Sequence, residues 1–221
     1  MNEDLNNLEK RLKVRFKNKA LLAKALTHKS YSEEKKVGYS NERLEFLGDS
    51  VLSLVVATYL YQNHPESEEG KLSQLKSILV SRQSFYEWAK EYELGKYLFL
   101  SASEELTGGR ERESLMSNAM EAVVGAMYID KGFGYTSKFI TDYLSTRKRI
   151  ITRDYKSKLQ EETQKRYKTI PVYKLVKEAG PDHDKIFTVV VEIEEKVFGI
   201  GAGKNKKDAE QNAAREALGK F

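Results

Sequence analysis

Two groups of oxygen-bearing side chains stand out by type and spacing. Glu42, Glu45 and Asp49 lie three and four residues apart, so on a helix they share one face. Leu44, Phe46, Leu47, Val51 and Leu52 make their surroundings apolar. Three like charges on one stripe repel, and a divalent cation is the natural counter-charge. Carboxylate oxygens with water suit magnesium. Asn118 and Glu121, one turn apart on a second apolar run, form another half-site. A helix carrying Glu45 and Asp49, packed against one carrying Asn118 and Glu121, would converge four oxygen ligands. Magnesium at such a site polarises a phosphoryl oxygen and supplies a hydroxide-like nucleophile. For Glu42 alone, a surface pairing with Arg43 or a distant lysine competes with this role. His28 and His64 have neither a carboxylate nor a second histidine beside them in sequence, and no catalytic role is expected of them. Ser50 and Ser73 show no base partner, which leaves serine-hydrolase chemistry without support.

A different chemistry gathers near the C-terminus. Lys204, Lys206 and Lys207 surround Asn205 where a helix is expected to begin. Asn205 can cap that helix, with Asp208 as a partial capping box. Free N–H groups, the positive dipole end and three lysines make a phosphate clamp. The alternative is a merely solvated helix start. Gln160 and Glu161 on the exposed side of a preceding helix, and His183 in a turn between strands, add two more contact points. A-form RNA asks for this kind of spacing, because proteins reach its shallow minor groove twice and the intervening phosphates once.

The elements that must hold these groups differ along the chain. Up to about residue 145, apolar residues recur at helical spacing in Leu21-Leu22-Ala25-Leu26, Leu72-Leu75-Leu79 and Phe85-Trp88-Ala89-Tyr92. Turn signals fall at Gly38, over residues 64–70 and at Gly108-Gly109. Further helices are expected over 118–128 and 137–144. Residues 147–153 are dense in charge and mark the joint. Beyond it come a helix over 155–166, strands over 173–178, 187–193 and 196–203, and a helix over 206–218 with Ala209, Ala213, Ala214, Ala217 and Leu218 inward. Phe187, Val189, Val191 and Ile193 share one strand face. Three consecutive strands between two helices favour an antiparallel sheet with both helices on one side.

Composition narrows the class. Hydrophobic residues make up 40% and charged residues 32%, an ordinary globular balance. The net charge of +5 suits a polyanion only weakly. No cysteine is present, which excludes disulfides and thiolate metal sites and fits a reducing compartment. The first fifteen residues are charged and unlike a signal peptide. Residues 51–60, the most apolar stretch, have about half the ~20 residues a spanning helix needs, so no membrane partner is expected.

Residues 153–221 resemble the double-stranded RNA-binding domain. The resemblance rests on Leu159-Gln160-Glu161, Pro171-Val172-Tyr173, Gly180-Pro181-Asp182-His183 with Phe187, Gly201-Ala202-Gly203, and Lys206-Lys207-Asp208-Ala209-Glu210 with Ala213-Ala214. It implies that Gln160 and Glu161 enter one minor groove, that His183 enters the next, and that Lys204, Lys206 and Lys207 hold the phosphates between. Residues 1–147 resemble the endonuclease domain of ribonuclease III. Residues 41–52 carry the signature segment, supported by Leu26-Thr27-His28-Lys29-Ser30-Tyr31, Glu69-Gly70-Lys71-Leu72-Ser73 and residues 114–130.

The implied architecture is a mainly α N-terminal endonuclease domain followed by an α+β module of order α-β-β-β-α. By the same resemblance Glu45, Asp49, Asn118 and Glu121 fall on the catalytic and metal positions. Glu42 and Glu69 are auxiliary acids lining the cleavage valley. Phe46 plugs into a partner subunit, with core packing as its alternative. A cytoplasmic homodimer is implied that cuts double-stranded RNA, each subunit one strand, leaving 5′-phosphates, 3′-hydroxyls and short 3′ overhangs. Mg2+ is the cofactor implied, with Mn2+ as a substitute and no small-molecule cofactor. Substrates would include ribosomal RNA precursors and mRNA.

One position departs from the pattern: the family expects Asp where this chain has Asn118. An amide oxygen can ligate a cation but brings no charge and cannot act as a base. The departure reads as a natural variant with an altered site or as a chain inactivated so that it can be held on RNA, and the intact remainder favours the second. The competing function is a double-stranded RNA-binding dimer that cuts nothing.

Overall fold

A computed structural model describes residues 2–146, 155–181 and 185–221. The expected joint at 147–153 and His183 lie outside the described residues. The chain divides into two compact units, Met1–Ser145 and Thr146–Phe221.

The first unit is built on one helix. Glu113–Lys131 (α8) is apolar on almost every side, and Met116, Ala119, Met120, Val123, Val124 and Met127 are all buried. A helix apolar all round must be surrounded. Its neighbours include Lys19–Ala25 (α2), Glu42–Asn63 (α4) and Arg82–Glu91 (α6). Asn2–Leu12 (α1), Lys29–Lys35 (α3), Glu69–Leu79 (α5), Ala102–Leu106 (α7) and Phe133–Thr146 (α9) complete the α-helices described in this unit. Trp88 of α6 is fully buried and stacks on Tyr143 of α9, with ring centroids 4.0 Å apart.

α4 meets α8 backbone to backbone. A Cβ on Gly48 would lie 1.8 Å from the Glu121 carbonyl oxygen, and one on Gly125 would lie 2.2 Å from that of Leu44. Only glycine at both positions lets the axes approach this closely. On either side of the crossing, Leu44, Val51, Leu52, Val55, Val56 and Leu60 are buried at helical spacing. α4 runs 22 residues, longer than the apolar stretch that marks it in the sequence. Length and composition alone would let it cross a membrane, yet one side of it is committed to this core.

Other boundaries differ from the sequence pattern as well. α1 is not signalled by that pattern: its charges hide Leu5, Leu8 and Leu12, which recur at three and four and are buried. Gly70, expected in a turn, sits in the first turn of α5, after a loop that ends at Glu68. α9 starts directly after Gly132, whose φ of 81° ends α8, and is longer than expected. Asp130 ties α8 to α2: its carboxylate accepts the N–H groups of Lys17 and Asn18, each at 2.8 Å.

The second unit has the order helix, three strands, helix. Tyr155–Tyr167 (α10) precedes Val172–Ala179 (β1), Ile186–Ile193 (β2) and Lys196–Gly203 (β3), and Lys206–Leu218 (α11) follows. The sheet is antiparallel in the order β1-β2-β3, with Tyr173 opposite Val191 and Val191 opposite Gly199. Alternation puts Val189, Val191 and Ile193 in one core with Leu159 of α10 and with Ala209, Ala213, Ala214 and Ala217 of α11. Both helices therefore cover the same sheet face. α11 rests on the backbone of β3: a Cβ on Gly201 would come within 2.1 Å of the Ala213 nitrogen, and one on Gly199 within 2.3 Å of its carbonyl oxygen.

Candidate active site and nucleic-acid interface

The acidic site begins at the first turn of α4. Asn41 precedes the helix and is buried. Its N–H donates to the Thr27 carbonyl at 2.8 Å, and its own carbonyl accepts from Leu44 and Glu45, both at 2.9 Å. That start puts Glu42, Glu45 and Asp49 on one stripe. Gly48 lies between Glu45 and Asp49 at the contact with α8, and its nearest neighbour is the backbone of Glu121. The crossing therefore carries the acids of α4 to those of α8. Glu42, Glu45, Asp49, Asn118 and Glu121 all line one cavity of about 700 Å³.

The charges in this cavity oppose one another. Glu121 is pushed up to about 7, first by burial and then by the charges of Glu45 and Asp49, with Arg82 acting in the other direction. Glu45 is also raised, by burial and then by the charge of Glu42, while a hydrogen bond from the Asn118 side chain opposes the shift. Asn118 thus donates its amide hydrogen to Glu45, where a carboxylate would have added repulsion. Ser117 Oγ in turn donates to Asn118 Oδ1 at 3.4 Å.

Among the described residues no three His, Cys, Asp or Glu side chains are gathered tightly enough to hold a metal ion as they stand. The donor set nevertheless fits a hard divalent cation. It offers three carboxylates and an amide oxygen, all oxygen ligands, and the raised Glu121 marks a place short of positive charge.

The remaining expected residues separate into those inside the cavity and those outside it. Glu42 is exposed, accepts from Ser40 Oγ at 2.9 Å and lies 3.8 Å from Lys29 Nζ. A distant lysine does partner it, at the cavity rim. Phe46 is 77% exposed on the same rim, so it does not pack into the core of its own chain. Glu69 is exposed at the start of α5, takes a hydrogen bond from Ser73 Oγ at 2.6 Å and is not part of the cavity wall.

His28, of which no catalytic role is expected from the sequence, belongs in the wall, together with Lys29, Ser30, Glu33 and Ser114. Residues 26–28 pair with Phe99: the Phe99 N–H donates to Leu26 and the His28 N–H to Phe99. The bond from Asn41 to Thr27 then joins this segment to the start of α4. The stretch of chain between Thr27 and Asn41 hides that link. The motif around His28 is the available signal.

In the second unit the residues expected to meet RNA stand outward. Gln160 and Glu161 are exposed on α10, outside the stripe of buried Leu159 and Thr163. Asn205 caps α11, accepting from the Asp208 N–H at 2.9 Å and donating to Asp208 Oδ2 at 2.9 Å. Lys204, Lys206 and Lys207 surround this cap and are all exposed. Lys206 lies 3.6 Å from Glu178 and 5.9 Å from the centre of the Phe187 ring, so its stem rests against the sheet. Helix start and lysines together offer a positively charged surface of the kind that suits an anion.

Comparison with known proteins agrees with both units. Residues 18–148 match the Ribonuclease-III-like family and residues 155–220 the double-stranded RNA binding motif. The Ribonuclease 3 of Clostridium botulinum (strain Eklund 17B / Type B) is 48% identical over 218 residues, covering 96% of this chain and 94% of that one. The Ribonuclease 3 of Caldanaerobacter subterraneus subsp. tengcongensis is 46% identical over 223 residues, covering 98% of each. Two solved structures of the Campylobacter jejuni ribonuclease III nuclease domain are similar. One has a TM-score of 0.60 at 42% identity and covers 64% of this chain and 94% of that one. The other, described for flexibility in a region involved in dimer formation, has a TM-score of 0.59 at 43% identity, covering 62% and 92%. The chain belongs to the ribonuclease III family, endoribonucleases of double-stranded RNA that carry a nuclease domain and a double-stranded RNA-binding domain.

Proposed function

We propose that the chain is a magnesium-dependent endoribonuclease in which Glu45, Asp49, Asn118 and Glu121 hold the metal, and in which Asn118 lowers the rate. The observation that carries this reading is the Gly48–Gly125 crossing, which brings the acids of α4 and α8 to one cavity with Glu121 pushed up to about 7. Magnesium, or manganese in its place, supplies the positive charge and the activated water when bound. Glu45 and Asp49 orient oxygens from α4, and Glu121 presents its carboxylate from α8. Glu42 and Glu69 are auxiliary acids of the cleavage valley, Glu42 standing at the rim with Lys29.

Asn118 is neutral, and its amide hydrogen is engaged by Glu45. It therefore adds no charge for the cation and no base for the water. That same observation favours a second reading, a double-stranded RNA-binding dimer that does not cut.

Residues 153–221 grip the duplex through Gln160, Glu161, His183, Lys204, Lys206 and Lys207, and residues 1–147 cut it. The working form is a homodimer in which each subunit cuts one strand. Phe46, Leu54 and Tyr61 support this, standing exposed along α4. The Campylobacter jejuni relative has a region involved in dimer formation. Products carry 5′-phosphates and 3′-hydroxyls with short 3′ overhangs. The setting is the cytoplasm, with ribosomal RNA precursors and mRNA as substrates.

Incubation of labelled duplex RNA with the chain and magnesium, resolved on a denaturing gel, tests the reading. Slow cleavage of both strands with staggered ends is expected. Tight binding with no cleavage, unchanged by Asn118→Asp, would favour the non-cutting dimer. Sedimentation of the chain and of Phe46→Ala tests the dimer, and a dimer unaffected by the substitution would remove Phe46 from the interface.

A further inference from the structure

The acidic cavity has to accept a phosphate as well as a cation. Five of its wall residues are carboxylates: Glu33, Glu42, Glu45, Asp49 and Glu121. The lysine in the wall, Lys29, lies 3.8 Å from Glu42. An uncharged donor would be well suited to such a wall, because it can meet a phosphate oxygen without competing with a cation for the carboxylates.

His28 has that character. Its ring is held through Nδ1, which accepts from the Ser30 N–H at 3.3 Å and meets Ser30 Oγ at 2.8 Å. Ser30 Oγ itself accepts from the Ser101 N–H at 3.2 Å, so its hydroxyl hydrogen is free to point at Nδ1. A chain of donors running from Ser101 through Ser30 to Nδ1 makes that nitrogen an acceptor and puts the ring hydrogen on Nε2. The Nδ1 edge is thus engaged by Ser30, while the residue lines the cavity.

We infer that His28 is a substrate-positioning residue, its Nε2–H donating to a phosphate oxygen of the RNA strand in the acidic cavity, with Ser30 fixing the tautomer from behind. This rests on the cavity being the cleavage site. A pre-aimed donor of this kind needs no reorganisation as charge develops on the phosphate.

Two substitutions separate the two edges of the ring. His28→Asn keeps an acceptor near the Nδ1 position and can still receive the Ser30 N–H, but it ends short of Nε2. His28→Gln reaches the Nε2 position and gives up the Nδ1 contacts. In single-turnover cleavage, measured both with Asn118 and in the Asn118→Asp background, His28→Asn should keep its melting temperature and lose ~10- to 100-fold in rate. His28→Gln should melt lower and stay nearer to the parent rate.

A readout independent of cleavage is 15N NMR of the three histidines in the chain, with calcium in place of magnesium. Adding duplex RNA should move the Nε2 resonance of His28 and leave Nδ1 in place. An unmoved Nε2, or a His28→Asn variant that cuts at the parent rate, overturns the inference. If neither background cuts, the cleavage reading fails by itself, and the NMR result still decides whether His28 touches RNA.

Discussion

The two units use one packing device for opposite ends. In the first, Gly48 and Gly125 let α4 and α8 touch backbone to backbone. In the second, Gly199 and Gly201 let α11 rest directly on β3. The contact in the first unit buries Glu121 and draws the acids together, and Glu121 rises to about 7, first by burial and then by the charges of Glu45 and Asp49. The contact in the second unit presses alanines on glycines, while Gln160, Lys204, Lys206 and Lys207 stay outside in water. Phosphate chemistry needs charge concentrated at a fixed point, and the fold carries that repulsion. Shape reading of a duplex needs charge spread over a surface, which costs the fold little.

The comparison breaks most sharply at the glycines. Gly48→Ala places a Cβ on the Glu121 backbone, where no flexible side chain can yield. It should cost at least about 3 kcal/mol, the upper range for forced overpacking. Gly70→Ala meets nothing within 4 Å and lies in α5, so it should be neutral or gain about 0.5–1 kcal/mol. Trp88, the single tryptophan, reports on the first unit alone. Gly48→Ala should shift its emission. Gly201→Ala should leave the emission unchanged and abolish duplex binding. A Gly48→Ala protein with native Trp88 emission and an unchanged urea midpoint would show that the close crossing is dispensable.

Asn118→Asp should sharpen the contrast in function. The donor to Glu45 is replaced by a fourth carboxylate, so the metal-free site becomes more repulsive and the metal-loaded one stronger. Single-turnover cleavage in saturating magnesium should rise by ~100-fold, the size of single electrostatic groups at reacting centres. The melting temperature without metal should fall slightly, and duplex affinity in calcium should stay the same. Equal rates for the two forms would remove position 118 from the essential set.

Much of this division is legible in the sequence, unevenly. The stripe Glu42-Glu45-Asp49 and the pair Asn118-Glu121 follow from helical spacing, and α4 and α8 carry them. The cap at Asn205 and the inward alanines of α11 are also readable, because propensity, capping and burial agree there. The meeting of α4 with α8 is less accessible. It depends on two lone glycines inside apolar helices, which carry no partner information but do signal close approach. His28 escapes a reading by side chains because its link to α4 runs through backbone bonds, those of Leu26 and His28 with Phe99 and that of Asn41 with Thr27. Side-chain patterns do not encode such bonds. α1 is hidden by its own charges.

A smaller effect is expected from the lysines. Replacing Lys204, Lys206 and Lys207 by Ala leaves the Asn205 cap and the alanine core in place, so stability should change by no more than about 0.5 kcal/mol. Binding should weaken alike for every duplex sequence. The slope of log affinity against log salt should become shallower, by up to roughly 0.9 for each phosphate that the module no longer neutralises. An unchanged slope would place the phosphate grip elsewhere on the module.

The smallest effect is a pH drift confined to the acidic site. Glu121 has an ordinary value of 4.5 and rises to about 7 in the folded chain. Between those values the folded state keeps a proton that the unfolded state has released. The contribution of Glu121 to the stability of the metal-free protein is therefore full below about pH 4.5 and is lost as pH rises towards and through 7. Asp130 acts in the opposite sense. Burial alone would raise it, but the N–H groups of Lys17 and Asn18 hold it below the usual range, so its contribution disappears only on acidification. Above pH 5 the drift thus belongs to Glu121 and its neighbour Glu45, which is also raised. Because Glu121 is only partly buried, solvent screens the effect, and a fall of a few degrees in melting temperature between about pH 5 and 8 is the scale to look for. Glu121→Gln should flatten most of that slope. Magnesium held by the deprotonated carboxylates, as proposed, should stabilise more as pH rises and so reverse it. Glu161, exposed on α10, offers the control: Glu161→Gln should leave the drift intact. A metal-free slope that survives Glu121→Gln would locate the titration elsewhere and remove the repulsion that sets the first unit apart from the second.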